Sequence, residues 1–247
     1  MSNDRLRDAM LRNGLTPTAI AERVGVDPKT AERWITQGRA PYPRYRFEIA
    51  ALVKEDEAYL WPGAMSEARA DRIAQSELVQ LYPRRAAISM DLWQRLIEHA
   101  TSRIEILVYV GLFLPEQYPQ LMKVLAEKAA GGAKVRIMLG NPDSPEVARR
   151  GAEEGIGDAI ASKVRNVLTF YAKLRNVQGV AIHLHGTPLY SSIYRFDDEM
   201  IVNVHVLGFP AAHAPALHLR RLSGGDLFGT YADSFDRIWS TSTPAFP

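Results

Sequence analysis

Twice between residues 16 and 28 a helix-capping residue stands directly before proline, at Thr16-Pro17 and again at Asp27-Pro28. A Thr or Asp oxygen can accept from the free N–H groups that open a helix, and proline, lacking an N–H, suits the first helical position. Between the two signals Gly25 offers the left-handed backbone that ends a helix. The spacing predicts two short helices meeting across Gly25-Val26-Asp27, the second leaving the first at a steep angle. Ala21 leaves room for the close approach, and Ile20, Val24, Val26, Ala31 and Trp34 fall where apolar side chains must fill the angle. The opposite face of the second helix, with Lys29, Thr30, Glu32 and Arg33, is left polar and free.

Further helices flank this pair. Asp4 to Asn13 carries Leu6, Met10 and Leu11 and ends at Gly14; the helix opened by Pro28 runs to about Gln37 and stops at Gly38. A loop from Arg39 to Tyr45 leads to a fourth helix over Phe47 to Lys54, and Leu60-Trp61-Pro62-Gly63 marks a domain edge. Residues 1–54 hold ten Lys/Arg against six Asp/Glu, a net of +4, whereas the remainder carries twenty against twenty-two. A basic head on a slightly acidic body suits an N-terminal segment that meets phosphate.

The stretch TPTAIAERVGVDPKTAERWITQG, with a fourth helix ending near YLWPG, resembles the lambda-repressor class of helix-turn-helix regulators. The resemblance implies that Lys29, Thr30 and Arg33 approach base edges in the major groove of double-stranded DNA, with Glu32 able to accept from a cytosine amino group. Thr18, Arg39, Arg44 and Arg46 would hold phosphates and set register. The competing reading is a helical hairpin for protein contacts.

Beyond a connecting helix over Met65 to Gln75 the pattern changes to alternating strands and helices. Leu92–Ala100 and Gln120–Ala130 read as helices, Ile104–Val110 and Lys134–Leu139 as buried strands, and Pro145–Arg175 as a long helical region bent at its glycines. Val180–His185, Leu189–Phe196 and Met200–Val206 are further strands. Arg220-Arg221 followed by Ser223-Gly224-Gly225-Asp226 reads as a hairpin turn, and Tyr231, Phe235, Ile238 and Trp239 as one face of a C-terminal core helix. Arg149-Arg150-Gly151 and Glu153 to Gly157 read as a solvated helical face with glycine bends, against the alternative of an anion site at a helix end. The expected fold is α + α/β: a four-to-five-helix DNA-binding domain over residues 1–63, a connecting segment over 64–87, and an α/β sandwich with a largely buried sheet over 88–247.

From LWQRLIEHATSRIEILVYV through GGAKVRIML to LYSSIYRFDDEMIVN, the second domain resembles a phospholipase D-type domain, in decayed form. The motif of that family is His-x-Lys-x4-Asp; the same spacing here gives Tyr190, Ser192 and Asp197, and the Gly-Ser that usually follows is replaced near Asn203-Val204-His205. The family's reaction needs an imidazole nucleophile and cations that steady the phosphoryl charge, so the resemblance implies loss of the reaction with survival of the cleft. Candidate cleft residues are Tyr109, His183, His185, Tyr190, Ser192, Tyr194, Asp197, Asn203 and His205. Single-motif domains of this type pair to build their cleft, which implies a homodimer. His183, His185 and His205 could instead bind zinc, though hydrogen bonding within the sheet is the simpler role, and no metal or cofactor is expected.

The reading is a dimeric, sequence-specific transcription regulator whose second domain dimerises and receives a small-molecule effector. The alternative is a DNA-directed phosphodiesterase or nuclease using the C-terminal histidines. Absence of cysteine removes disulfides, thiolate metal sites and cysteine nucleophiles. The longest apolar run, Ile106 to Leu114, is too short to span a membrane, and the first ten residues do not read as a secretory signal, so a cytoplasmic protein without a membrane partner is expected.

Overall fold

The computed structural model describes residues 2–62 and 76–246, and the expected connecting helix Met65–Gln75 lies outside these described residues. Two compact units divide the chain, one of residues 1–76 together with Leu222–Asp226 and the other of Glu77–Arg221 and the residues from Leu227 onward.

The first unit is helical. In α1 (Asp4–Arg12) the first turn is capped by Asn3, whose Oδ1 accepts from Leu6 N at 3.0 Å. The helices α2 (Pro17–Val24) and α3 (Pro28–Thr36) open as their capping residues dictate: Thr16 Oγ1 accepts from Ala19 N at 3.1 Å, and Asp27 Oδ1 from Lys29 N at 2.8 Å. Gly25 closes α2 at φ +70°, a conformation that a side chain would strain. The fourth helix, α4 (Pro43–Val53), starts four residues before the expected Phe47, because Pro43 repeats the helix-opening signal; Arg44 and Tyr45 are therefore helical. A short α5 (Glu57–Leu60) follows. Ile20, Ala21, Val24, Ala31 and Trp34 pack with Leu6, Met10, Ile49 and Val53 into one core, with Val26 at its margin. Leu11, by contrast, is exposed.

The second unit contains, among the described residues, an eight-stranded sheet. Its strands are β1 (Leu78–Tyr82), β2 (Arg103–Leu107), β3 (Lys134–Gly140), β4 (Val180–His185), β5 (Ser191–Phe196), β6 (Glu199–Val204), β7 (Ala216–Arg220) and β8 (Thr243–Pro244), in the spatial order β1-β7-β6-β5-β2-β3-β4-β8. β2, β3 and β4 are parallel because helical crossovers join them: α7 (Phe113–Gln117) and α8 (Leu121–Ala130), then α9 (Pro145–Glu153) and α10 (Ala159–Tyr171). β5, β6 and β7 form an antiparallel run through tighter connections. On one face, Trp93 and Ile97 of α6 (Met90–His99), Leu121 and Leu125 of α8, and Val164 and Val167 of α10 pack on Ile104, Ile106 and Ile137. On the other, Phe228 and Phe235 of α11 (Leu227–Thr241) meet Met138, Met200 and Leu219. Each such fully buried Leu, Ile or Phe stabilises the unit by about 2 kcal/mol.

Three expectations are corrected. The region Pro145–Arg175 is two helices, because Gly151 packs so closely on Gly157 O that an added Cβ would collide with it, while Gly155 and Gly157 turn at φ +69° and +51°. After Arg220 the chain makes no hairpin but leads into α11; β7 already has neighbours on both sides, β1 and β6, so no position remains for a returning strand. β1 lies inside the stretch read as a connecting segment. It is an edge strand whose register comes from β7. Among the described residues no helix is long and apolar enough to cross a membrane.

Candidate functional site

On the helical unit, α3 turns Ala31, Trp34 and Ile35 into the core and leaves Lys29, Glu32 and Arg33 exposed, with Thr30 half-buried. Thr18 and Arg39 are exposed as well. The exposed Arg44 lies over the ring of Tyr45, 4.4 Å from its centroid, and donates to its hydroxyl. Arg46 departs from its expected role as a phosphate contact. It is 5% exposed, its Nε is 2.6 Å from Glu57 Oε1, and a second nitrogen donates to Pro41 O. On α4 it follows the inward-facing positions of Ile49, Ala50 and Val53, so its charge faces Glu57 rather than solvent.

On the sheet unit, a site forms where the carboxyl ends of β2, β3, β4 and β6 meet the amino end of β5, the end of an open α/β sheet where ligands commonly bind. Tyr109 follows β2, its carbonyl accepting from Gly140 N at 3.0 Å and its hydroxyl from Leu189 N at 3.0 Å. A side chain at Gly140 would collide with Tyr109 and Val147. His205 stacks on Tyr109 with ring centroids 5.6 Å apart, and His185 flanks the same ring at 5.7 Å. His205 Nδ1 is 3.0 Å from Leu189 O, a pure acceptor, so Nδ1 carries the proton and Nε2 accepts from Ser192 Oγ at 2.9 Å. Burial, reinforced by the Arg150 charge, holds His205 down to about 4, and burial likewise lowers His185. Burial pushes Tyr194 up to about 12. The contacts of Ser192 and His205 follow the order of a nucleophile–base pair, yet an imidazole titrating near 4 is a weak base at neutral pH.

Two cavities border this centre. One of about 200 Å³ is lined by Ser192, Tyr194 and His205 together with Arg85, Phe113 and Lys163. The other, of about 340 Å³, lies between Tyr190, His205 and the Glu146–Glu153 face of α9. Of the expected cleft residues, Tyr109, His185, Ser192, Tyr194 and His205 come together. Tyr190, at 86% exposure, stands on the rim of the second cavity. The other three lie elsewhere. His183 stacks on Trp239 at 4.0 Å and hydrogen-bonds Ser242. Asn203 turns its amide to Ala214 O and Pro215 O. Asp197 occupies the β5–β6 turn at the opposite end of the sheet, about 16 Å along the strand from Ser192. There it accepts from the backbone N–H groups of Thr101, Ser102 and Arg103, which, against its partial burial, hold its carboxyl down to about 2. The three histidines thus do not converge, and among the described residues no three His, Asp or Glu side chains are arranged to hold a metal. Arg150, read as part of a solvated face, is buried and bound to Glu154 at 2.7 Å and to Phe209 O.

Arg85, Phe113 and Lys163 had no part in the sequence reading. Arg85 falls in the stretch read as a connecting segment and Lys163 within the long helical region Pro145–Arg175; only the cavity joins them.

His205 makes stability depend on pH. Unfolded, it titrates near 6.5; folded, near 4. Between these values the unfolded chain binds the extra proton, so stability falls as pH drops through this window, by about 3 kcal/mol in all. Urea unfolding from pH 7 to 4.5 should show this loss, and His205→Gln should remove much of the slope. A wild-type profile flat across the window would show that the imidazole is not held neutral.

A family model described as Domain of unknown function (DUF5919) matches residues 74–246. No curated protein matches the chain. Among solved structures, TrmBL2, an archaeal chromatin protein with a described novel mode of DNA binding, is similar at 14% identity and TM-score 0.43, over 89% of this chain and 72% of that one. Nuc, a phospholipase D family member from Salmonella typhimurium, is similar at 13% identity and TM-score 0.40, over 68% and 97%. A phosphatidylserine synthase from Haemophilus influenzae Rd KW20 is similar at 12% identity and TM-score 0.42, over 97% of this chain and 54% of its own. At these identities and TM-scores the likenesses carry no functional argument.

Proposed function

The chain belongs to the family defined by Domain of unknown function (DUF5919), and on that premise we propose that it is a sequence-specific DNA-binding transcription regulator whose sheet unit binds an effector and pairs with a second copy. The observation that carries this reading is how the cations of the helical unit are used. On α1, Arg7 pairs with Asp4, and Arg12 with Asp8 and Glu55. Lys29 and Arg33 on α3, and Arg39 after it, have no carboxylate partner among the described residues. Exposed, uncommitted cations on the free face of the second helix of a tight pair are what a major groove requires: a guanidinium can donate two hydrogen bonds to guanine, and an ammonium can meet phosphate or base. One such head reads too few base pairs to bind tightly, which favours two heads on an inverted repeat.

Selection of genomic fragments with the full chain, followed by salt-titrated binding, tests the reading. One enriched inverted repeat is expected. Arg33→Ala should weaken binding to it by about 1–3 kcal/mol and relax one base position. Equal loss on every sequence would reduce Arg33 to a phosphate contact, and failure to enrich any sequence would remove the regulator reading.

The Ser192–His205 pair favours a second reading, a phosphodiesterase that cuts the DNA its head holds. It requires cleavage during incubation and loss of that cleavage in His205→Gln. The weak basicity of His205 and the commitment of His183 to Trp239 count against it.

A further inference from the structure

We propose that the 200 Å³ cavity beside His205 takes a small organic anion, an apolar body bearing one carboxylate or phosphate-ester head; its role as effector rests on the regulator reading above, its binding does not. The charges in the wall carry the argument. Arg85 is half-buried, and its guanidinium lies over the Phe113 ring, 3.7 Å from the centroid, with no ion pair or side-chain hydrogen bond among the described residues. Lys163, exposed on α10, borders the same cavity and also has no carboxylate partner among the described residues, so it adds charge at the cavity's open side while Arg85 is the partly desolvated cation. The third cation, Arg150, is neutralised by Glu153 and Glu154. His205 is neutral, so the lining keeps two uncompensated positive charges. A half-buried cation without a partner has lost part of its hydration, and an anion entering the cavity restores what it lacks.

The neighbouring spaces lack this imbalance. In the 340 Å³ cavity Arg149 and Arg150 face Glu146 and Glu153. In a cavity of about 630 Å³ at the far end of the sheet, Arg220 and Arg221 are paired with Glu199 and Asp198. Opposite the polar edge of Ser192, Tyr194 and His205, the small cavity has an apolar side formed by Leu112, Phe113, Ile156 and Ile160, so the anion carries an apolar body. Its volume lies below the roughly 300–1,000 Å³ of sites for drug-sized ligands, which suits a single ring or short chain and excludes a nucleotide.

Isothermal titration of the full chain with benzoate, phenyl phosphate and uncharged benzamide tests this, on wild type and on Arg85→Gln and Lys163→Gln variants shown by circular dichroism to melt as wild type does. Saturable binding of benzoate or phenyl phosphate is expected, weakened about tenfold to a hundredfold in each variant, with benzamide not bound. Which anion binds identifies the head group. Benzamide binding as tightly as the anions, unchanged affinity in both variants, or no anion bound at millimolar concentration would overturn the proposal. Adding the bound anion to the selected DNA complex separates the two readings. Binding that leaves DNA affinity unchanged removes the effector role and keeps the anion site, whereas anion binding by a chain that selects no DNA removes only the regulator.

Discussion

Replacing Glu105 with alanine is expected to lower the stability of the sheet unit by about 3–5 kcal/mol, the size of loss seen when one partner of a buried ion pair is removed. Glu105 is 1% exposed at the middle of β2. The register sets it directly opposite Arg136 on the parallel neighbour β3 and Arg195 on the antiparallel neighbour β5. Its Oε1 accepts from Arg136 Nε at 3.0 Å and its Oε2 from Arg195 at 3.2 Å. Arg136 continues to Asp236 at 2.6 Å on α11, so one carboxylate links three central strands to the helix that covers them. Alanine would leave the Arg195 guanidinium, itself only 6% exposed, without a counter-charge. Urea denaturation of the full chain, monitored on the sheet unit by hydrogen exchange of β2 and β3, measures the loss. A companion variant, Glu105→Leu with Arg136→Met and Arg195→Met, should recover most of it, because an apolar set of similar volume needs no counter-charge. A loss under about 1 kcal/mol in Glu105→Ala would show that water already reaches the arginines.

Glu105 also shows where sequence reading ends. The apolar run around it identifies a buried strand, and the helix caps, stop glycines and crossover pattern of the second unit are equally local signals. A charge within that run does not reveal its two close partners, because Arg136 and Arg195 lie 31 and 90 residues away and meet it only through strand register; the one local cation, Arg103, stands farther off, at 3.7 Å. The same limit hid β1: five residues, mostly exposed, whose strand conformation depends on an edge of β7 more than a hundred residues later. The start of α4 is different: Pro43 carries the proline half of the signal found at Thr16-Pro17 and Asp27-Pro28, but Tyr42 supplies no side-chain cap, so only part of the local signal is present.

In the site, spacing along one strand identified neighbours but not direction. Tyr190, Ser192 and Asp197 keep the spacing of a known motif, yet β5 runs from the site to the far end of the sheet, so Asp197 leaves it and Tyr190 stays on its rim. Ser192, Tyr194 and His205 meet because β5 and β6 form a hairpin, a pairing that alternation alone could suggest. Arg85 and Lys163 reach the cavity from segments outside that hairpin, and nothing local to either residue marks it as part of a site.

Arg46→Ala is expected to destabilise the helical unit by about 3–5 kcal/mol and, on the regulator reading proposed above, to weaken DNA binding on every sequence alike. The alternative, a phosphate contact, predicts something different. Removing a solvated phosphate contact would leave stability unchanged and reduce the slope of log affinity against log salt by about 0.9. In the structure Arg46 and Glu57 are both nearly sealed from solvent, at 5% and 4% exposure, and their ion pair ties α4 to α5. Alanine at 46 therefore removes the buried guanidinium that faces the Glu57 carboxylate and ties α4 to α5, and hydrogen exchange of the full chain should show α3 and α4 opening more readily. The double variant Arg46→Met with Glu57→Leu decides between the two roles. If the pair is structural, the double variant regains protection and binds DNA with the wild-type salt slope, since Lys29, Arg33 and Arg39 still present their charges. If Arg46 touches phosphate, Arg46→Ala and the double variant both keep wild-type stability and both show the shallower slope, because no packing at position 57 can return the missing cation.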